Sequence, residues 1–119
     1  MKWNTRILKV GSDVKELFVN TKRVDFRPND RETDLADYSV IYDQRPTGEI
    51  QKGDKIEIGN MVFKVVGMGA DANWKLKERG TCTFDFSGKR EPSGTVAIML
   101  SGVGFADKCL REGNKIIIK

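Results

Sequence analysis

The sequence predicts an all-β protein, a small closed or partly closed β-barrel of about seven short strands with one short helix. Apolar residues recur at short intervals between glycines and polar turn residues, which is typical of many short strands. Only residues 70–79 lack this rhythm and are rich in helix formers. The chain of 119 residues has the size of one domain and no internal repeat or linker, so we predict a single domain over residues 1–119.

The predicted strands follow one another along most of the chain. Gly59 and Asn60 separate two of them as the two-residue turn of a β-hairpin, because positive φ is cheap at both positions. Seven strands of this kind are enough for a sandwich or a closed barrel. The segments are residues 6–10, 23–26, 54–58, 61–66, 82–86, 95–100 and 115–118.

The predicted helix lies within residues 70–79. Asp71 stands near its start and Lys77 and Arg79 near its end, an order that complements the helix dipole. Gly80 follows as a candidate C-terminal cap. Residues 34–38 can form a helical turn, although five residues are too few to decide.

Charge and composition exclude several functional classes. The net charge of +4 is spread along the chain, and like-charged runs are no longer than pairs such as Lys22 and Arg23, so we expect no nucleic-acid partner. No apolar run approaches the ~20 residues that cross a bilayer, and residues 1–6 lack the apolar stretch of a signal peptide, so we expect a cytoplasmic protein without direct membrane insertion. Cys82 and Cys109 lie outside any metal-binding spacing and are predicted to be reduced, structural thiols, with no metal or cofactor.

The usual catalytic signatures are missing. The chain has no histidine, so neither a Ser-His-Asp nor a Cys-His arrangement can be built. No glycine-rich segment has the spacing of a phosphate-binding loop. Residue types and spacing alone therefore predict a soluble β-rich domain and leave enzymatic activity open.

A collinear series of glycines, aromatic residues and short strands carries a family resemblance. In chain order the matching features are Gly53, Ile58-Gly59, residues 63–69, Ala72, Leu76, residues 77–81, residues 83–88 and residues 94–96. Residues 24–27 and 34–41 match as well, and after Gly88 this chain is slightly shorter than the family. Over most of its length the chain resembles the glucitol/sorbitol-specific IIA component of the bacterial phosphoenolpyruvate-dependent sugar phosphotransferase system.

The resemblance implies where a site would be. In the family, a strand matching residues 38–41 runs directly into a segment whose first histidine is phosphorylated. Tyr42 stands at that position here, Gln44 at a second histidine and Thr81 at a third. We therefore expect residues 41–49 at the rim of the barrel, with Tyr42 or Gln44 near Thr81.

The missing imidazoles bear directly on the phosphoryl chemistry. A phosphoryl carrier needs a nucleophile that is neutral and available near pH 7, and imidazole, with a pKa of about 6.5, provides it. The phenol of Tyr42, with an ordinary pKa near 10, is mostly protonated, and a phosphotyrosine ester is a poor donor. Asp43 can in principle form an acyl phosphate, but such reactions usually recruit Mg²⁺ held by neighbouring carboxylates, and no such cluster can be placed around Asp43 from the sequence.

Two functions stay open at this point. The resemblance implies a phosphoryl carrier between the histidine phosphocarrier protein and the membrane sugar permease subunits, inactive as a carrier here because the chain has no histidine. The alternative is a non-catalytic binding or regulatory β-barrel module. By chemistry we favour the second, while the family assignment describes the origin of the chain.

Overall fold

A computed structural model describes residues 1–30, 33–102 and 106–119, and the strands in this part of the chain close into a barrel. The order of strands around the barrel is β1-β3-β2-β6-β7-β5-β4-β8, and β8 pairs back with β1. The predicted all-β barrel is confirmed, with eight described strands instead of about seven. They are Trp3–Val10 (β1), Arg23–Pro28 (β2), Ser39–Tyr42 (β3), Lys55–Ile58 (β4), Met61–Met68 (β5), Cys82–Asp85 (β6), Ala97–Ser101 (β7) and Lys115–Ile118 (β8).

The additional strand is β3, which the alternation of apolar residues does not reveal. All four of its residues are buried, so it has no outward polar position to mark a half-buried strand. It pairs antiparallel with β1 and parallel with β2. Its polar first residue, Ser39, is satisfied locally, since its hydroxyl donates to the carbonyl of Leu35 at 2.8 Å and accepts from Arg27 Nε at 2.9 Å.

The helices lie between strands. The helix predicted within residues 70–79 is confirmed as α2, Ala72–Arg79, and Gly80 caps it in the left-handed conformation with φ 72°. A second helix, α1 (Val14–Thr21), was not predicted, because it is short and carries β-branched residues and an asparagine. Packing stabilises it: Val14 and Phe18, one turn apart, are buried. A 3₁₀ turn spans Ala36–Tyr38 and a short α3 spans Ala106–Cys109.

Aromatic side chains pack together in the barrel interior. The ring of Phe84 lies 4.9 Å from the ring of Phe26 and 6.3 Å from that of Trp3. Trp3 in turn meets the edge of Tyr42, with ring centroids 4.9 Å apart. All four side chains are at most 1 % exposed, so the interior is a packed core and not a channel.

The segment between β6 and β7 covers the outside of the barrel next to β5. The two strands are parallel, so the chain must cross over between them, and it passes over Gly67. A Cβ atom on Gly67 would overlap the carbonyl oxygen of Arg90, which explains why β5 has glycine there. Residues 97–100 of β7 are consequently buried on both faces.

Two further expectations concern the state of the cysteines and membrane-spanning helices. Cys82 and Cys109 are both buried thiols. Among the helices of the described residues, none has the length and apolar character that a transmembrane span requires.

Candidate functional site

Tyr42, at the end of β3, points into the barrel. Its side chain is 0 % exposed, and its hydroxyl donates a hydrogen bond to the carbonyl oxygen of Gly80 at 2.5 Å. Gly80 immediately precedes Thr81, so Tyr42 reaches the residue beside Thr81 across 38 positions of sequence. The end of β3 and the end of α2 are thereby joined.

The environment keeps the phenol of Tyr42 protonated. Burial raises its pKa above the ordinary value, and Cys82 adds to the shift, while the positive charge of Arg45 opposes it. The proton is also committed to the carbonyl of Gly80. Tyr42 is therefore both inaccessible and a poorer nucleophile than an exposed tyrosine.

Gly80 is the point where three elements converge. A Cβ atom at this position would lie 2.7 Å from Pro28 Cγ, 3.0 Å from Tyr42 Oη and 3.1 Å from Arg45 Cζ. Together with its left-handed φ, this close approach restricts the position to glycine. The end of β2, the end of β3 and the segment after β3 are packed against the cap of α2.

Thr81 contributes a polar atom that nothing in the described residues satisfies. Its Oγ1 is buried and has no hydrogen-bond partner among residues 1–30, 33–102 and 106–119. Such a hydroxyl is unfavourable for stability, because it loses its bond to water without a replacement. Thr81 thus lies next to the convergence point without joining its hydrogen bonds.

Asp43 and Gln44 are held by their backbones. The Asp43 N–H donates to the carbonyl of Arg6 at 3.2 Å, and the Gln44 N–H donates to Thr5 Oγ1 at 2.7 Å. The Gln44 carbonyl accepts from Trp3 Nε1 at 2.7 Å, while its side chain is exposed. Gln44 is therefore at the surface, unlike Tyr42.

A shallow depression brings Asp43 and Gln44 together with Asp30. No group of three or more carboxylate or thiol side chains in the described part of the chain is arranged to hold a metal ion. The chemistry of a Mg²⁺-assisted acyl phosphate therefore finds no ligand set among these residues.

Arg45 is a residue that the sequence reasoning missed, since residues 45–48 were interpreted as an ordinary turn. Its Nε and Nη2 donate to the two carboxylate oxygens of Asp30 at 2.7 and 2.9 Å. The hydrogen bond to Asp30 raises the pKa of Arg45, so its charge persists at any physiological pH. No pattern within the turn distinguishes this arginine, because its partner lies 15 residues upstream.

A second depression, with a volume of about 240 Å³, lies between residues 45–49 and α2. We call it the Arg45 depression, and the residues that matter for its chemistry are Arg45, Thr47, Glu49, Leu76 and Lys77. Asn73 fastens its two sides, because its side-chain amide exchanges hydrogen bonds with the backbone N–H and carbonyl of Ile50 at 2.9 and 2.8 Å. The candidate site is thus a charged depression along α2, beside a buried tyrosine.

Comparison with known families identifies the family of this chain. The family model "PTS system glucitol/sorbitol-specific IIA component" matches residues 2–117. The chain belongs to this family. Its resemblance, inferred above from residues 53–96, is therefore confirmed over nearly the whole length.

The fold comparison is consistent with the family match. The crystal structure of a PTS system IIA component from Enterococcus faecalis V583 superposes with a TM-score of 0.76, covering 97 % of this chain and 98 % of that chain. The two sequences are 15 % identical, so this likeness shows a shared fold. A search of the curated proteins finds no match. The chain therefore shares the fold of that IIA component.

Proposed function

We propose that this member of the glucitol/sorbitol IIA family binds phosphotransferase-system proteins without carrying a phosphoryl group itself. The observation that carries the proposal is the state of Tyr42: at the position that the resemblance aligns with the phosphohistidine, a fully buried phenol donates a hydrogen bond to a backbone carbonyl. The partners implied by the family are the histidine phosphocarrier protein and membrane sugar permease subunits. We place the protein in the bacterial cytoplasm on the same grounds.

The chemical argument concerns the acceptor atom. Phosphoryl transfer requires an attacking atom near 3 Å from the phosphorus and in line with the leaving group, as a general estimate for reacting atoms. Tyr42 Oη is inside the barrel and cannot approach a phosphoryl group on another protein without local unfolding. No imidazole exists elsewhere in the chain to replace it. The docking surface can persist, because it does not depend on the acceptor.

A second candidate function is an active carrier that uses Asp43. In favour of it, Asp43 lines an open depression, and Arg45, two positions later in the sequence, lines the same depression. Against it, the described residues contain no carboxylate cluster that would hold the Mg²⁺ such chemistry usually needs. We therefore favour the binding or regulatory role over the carrier role. In this proposal Gln44 lines the depression that contains Asp43, and Thr81 lies beside the contact between Tyr42 and Gly80.

The deciding experiment is phosphorylation followed by intact mass. The chain is incubated at neutral pH with phosphoenolpyruvate, the general phosphotransferase enzyme and the phosphocarrier, beside a histidine-containing IIA family member as the positive control. We expect the control to gain the mass of one phosphoryl group and this chain to gain none.

An Asp43→Asn variant separates the two candidates if a gain occurs. A mass gain in the unaltered chain that is lost in Asp43→Asn would replace our proposal with the aspartyl carrier. Calorimetric titration with the unphosphorylated and phosphorylated phosphocarrier supplies the binding part of the test. Absence of binding to both forms would refute the proposed docking function.

A further inference from the structure

The Arg45 depression has a composition that suits an anion. It is lined by two cationic side chains, Arg45 on the segment of residues 45–49 and Lys77 on α2. Lys77 forms no ion pair with any described residue and is exposed at the end of α2. The exposed Glu49 lines the same depression and Asp30 is paired with Arg45, so two carboxylates oppose the two cations.

Asp30 orients the Arg45 side chain but does not use all of its N–H donors. A guanidinium has five N–H donors. The pair with Asp30 uses Nε–H and one N–H of Nη2, which leaves both N–H groups of Nη1 and the second one of Nη2. No residue in the described ranges accepts a hydrogen bond from Nη1. The outer fork, Nη1 with Nη2, therefore stays available for a second bidentate contact.

The position of this fork is significant. Arg45 Cζ and Tyr42 Oη lie 3.1 and 3.0 Å from the same point, the position that a Cβ atom on Gly80 would occupy. The cation thus stands directly beside the residue aligned with the phosphohistidine. The Arg45 guanidinium therefore puts a positive charge beside Tyr42, which does not serve as a nucleophile.

We propose that the Arg45 depression binds the phosphoryl group of the phosphorylated phosphocarrier, so that the chain distinguishes the phosphorylated from the unphosphorylated partner. This inference rests on the proposed docking function and makes it specific. A phosphoryl group carries about −1.5 to −2 charges and three acceptor oxygens, which suit a bidentate arginine and a neighbouring lysine. No bond is made or broken: the phosphoryl group stays on the carrier.

The proposal predicts whether neutralising each charged side chain of the depression weakens or tightens binding of the phosphorylated carrier. Arg45→Gln and Lys77→Gln remove an attractive charge and weaken binding of the phosphorylated form, whereas Glu49→Gln removes a repulsive charge and tightens it. Lys64 supplies the matched control. It is an exposed lysine on β5, four strands around the barrel from β3 in either direction, so Lys64→Gln removes the same charge away from the depression.

The test is calorimetric titration of the chain and its four variants with the phosphocarrier in both forms. We expect the phosphorylated form to bind at least about tenfold more tightly than the unphosphorylated form. Arg45→Gln and Lys77→Gln should reduce this preference, Glu49→Gln should increase it, and Lys64→Gln should leave it unchanged. Circular dichroism of each variant checks that the fold is retained.

The outcomes separate this inference from the proposed function. Equal binding of both carrier forms would overturn the inference and leave the docking function standing, whereas no binding of either form would overturn both. A preference that Lys64→Gln weakens as much as Arg45→Gln would also overturn it, because the effect would then be long-range attraction. Inorganic phosphate is titrated separately: if it binds in an Arg45-dependent manner while both carrier forms bind equally, the depression takes free phosphate and the proposal is wrong.

Discussion

Tyr42 and Thr81 occupy two of the three positions that the resemblance aligns with histidines, and their hydroxyls differ in hydrogen bonding. The Tyr42 hydroxyl donates to the Gly80 carbonyl at 2.5 Å, while Thr81 Oγ1 is buried without a partner among the described residues. A satisfied buried hydroxyl stabilises a fold modestly and an unsatisfied one destabilises it. The two residues therefore predict opposite responses to removal of the oxygen.

Thr81→Val should leave the free energy of unfolding unchanged or raise it by up to about 1 kcal/mol, because it removes a polar atom that has lost its solvation. Thr83→Val is the matched control, since the Thr83 hydroxyl donates to Asp25 Oδ1 at 2.7 Å and its loss should cost about 1 kcal/mol. Urea unfolding of both variants gives the comparison. A loss in Thr81→Val as large as that in Thr83→Val would show that the Thr81 hydroxyl has a partner.

Tyr42→Phe should lower the free energy of unfolding by about 1–2 kcal/mol, because it deprives the buried Gly80 carbonyl of its donor while keeping the ring against Trp3. Tyr38→Phe is the control, since Tyr38 is 49 % exposed and should respond by less than about 0.5 kcal/mol. Equal stability of the two variants in urea would contradict the assignment.

Comparison of the unaltered protein with Tyr42→Phe also gives a prediction for alkaline pH. The pKa of Tyr42 is raised in the folded protein, so ionisation favours the unfolded chain. The contribution is fully present below the ordinary tyrosine pKa of about 10 and is lost as pH rises beyond it. The stability difference between the unaltered protein and Tyr42→Phe should therefore shrink above that pH, and a constant difference would argue against the shift.

At the scale of elements, α2 determines the candidate site through both of its ends. Its C-terminal cap, Gly80, receives Tyr42 and Arg45, and its N-terminal turn holds Asn73, whose amide is bonded to the backbone of Ile50. Asn73 is therefore the fastening between α2 and the segment that ends at Ile50. Sequence composition predicted the helix and its cap, whereas the Asn73 contact spans 23 residues and has no local signal.

Asn73→Ala should destabilise the protein by about 1–2 kcal/mol, after the better helix propensity of alanine offsets part of the lost hydrogen bonding. It should also increase the hydrogen-exchange rate of the Ile50 amide, which loses its acceptor. Glu78→Ala, an exposed change on the same helix, is the control and should leave that amide protected. An unchanged hydrogen-exchange rate of the Ile50 amide in Asn73→Ala would show that Asn73 does not hold this segment against α2.

Two elements show why sequence patterns missed part of the barrel. β3 is buried at every residue and lacks alternation, and α1 is short, with poor helix formers. Both depend on neighbours: β3 lies between β1 and β2, and the ring of Phe18 in α1 lies 5.7 Å from that of Phe86. Local periodicity cannot report stabilisation that comes from distant partners.

At the scale of the whole molecule, stability rests on the closed barrel and its aromatic interior. Phe84→Ala should cost about 3–5 kcal/mol, because the side chain is fully buried against Phe26 and Trp3 and leaves a cavity. Phe84→Leu should cost less and keeps the comparison measurable if the alanine variant does not fold. Val62→Ala on the outside of β5, where valine is 55 % exposed, should cost under about 1 kcal/mol. Similar urea midpoints for Phe84→Leu and Val62→Ala would contradict a core centred on Phe84.

The sequence by itself determined that the chain is β-rich, that α2 ends at Gly80, that its glycine and aromatic pattern is that of the IIA family, and that no histidine is present to carry phosphate. These are properties of residue type and of short spacings. Only the tertiary structure decided that Tyr42 is buried on Gly80, that Thr81 Oγ1 is left unsatisfied, and that Arg45 stands beside them on Asp30. Those contacts join residues on different elements, and their energies depend on burial and geometry that exist only after the barrel has closed.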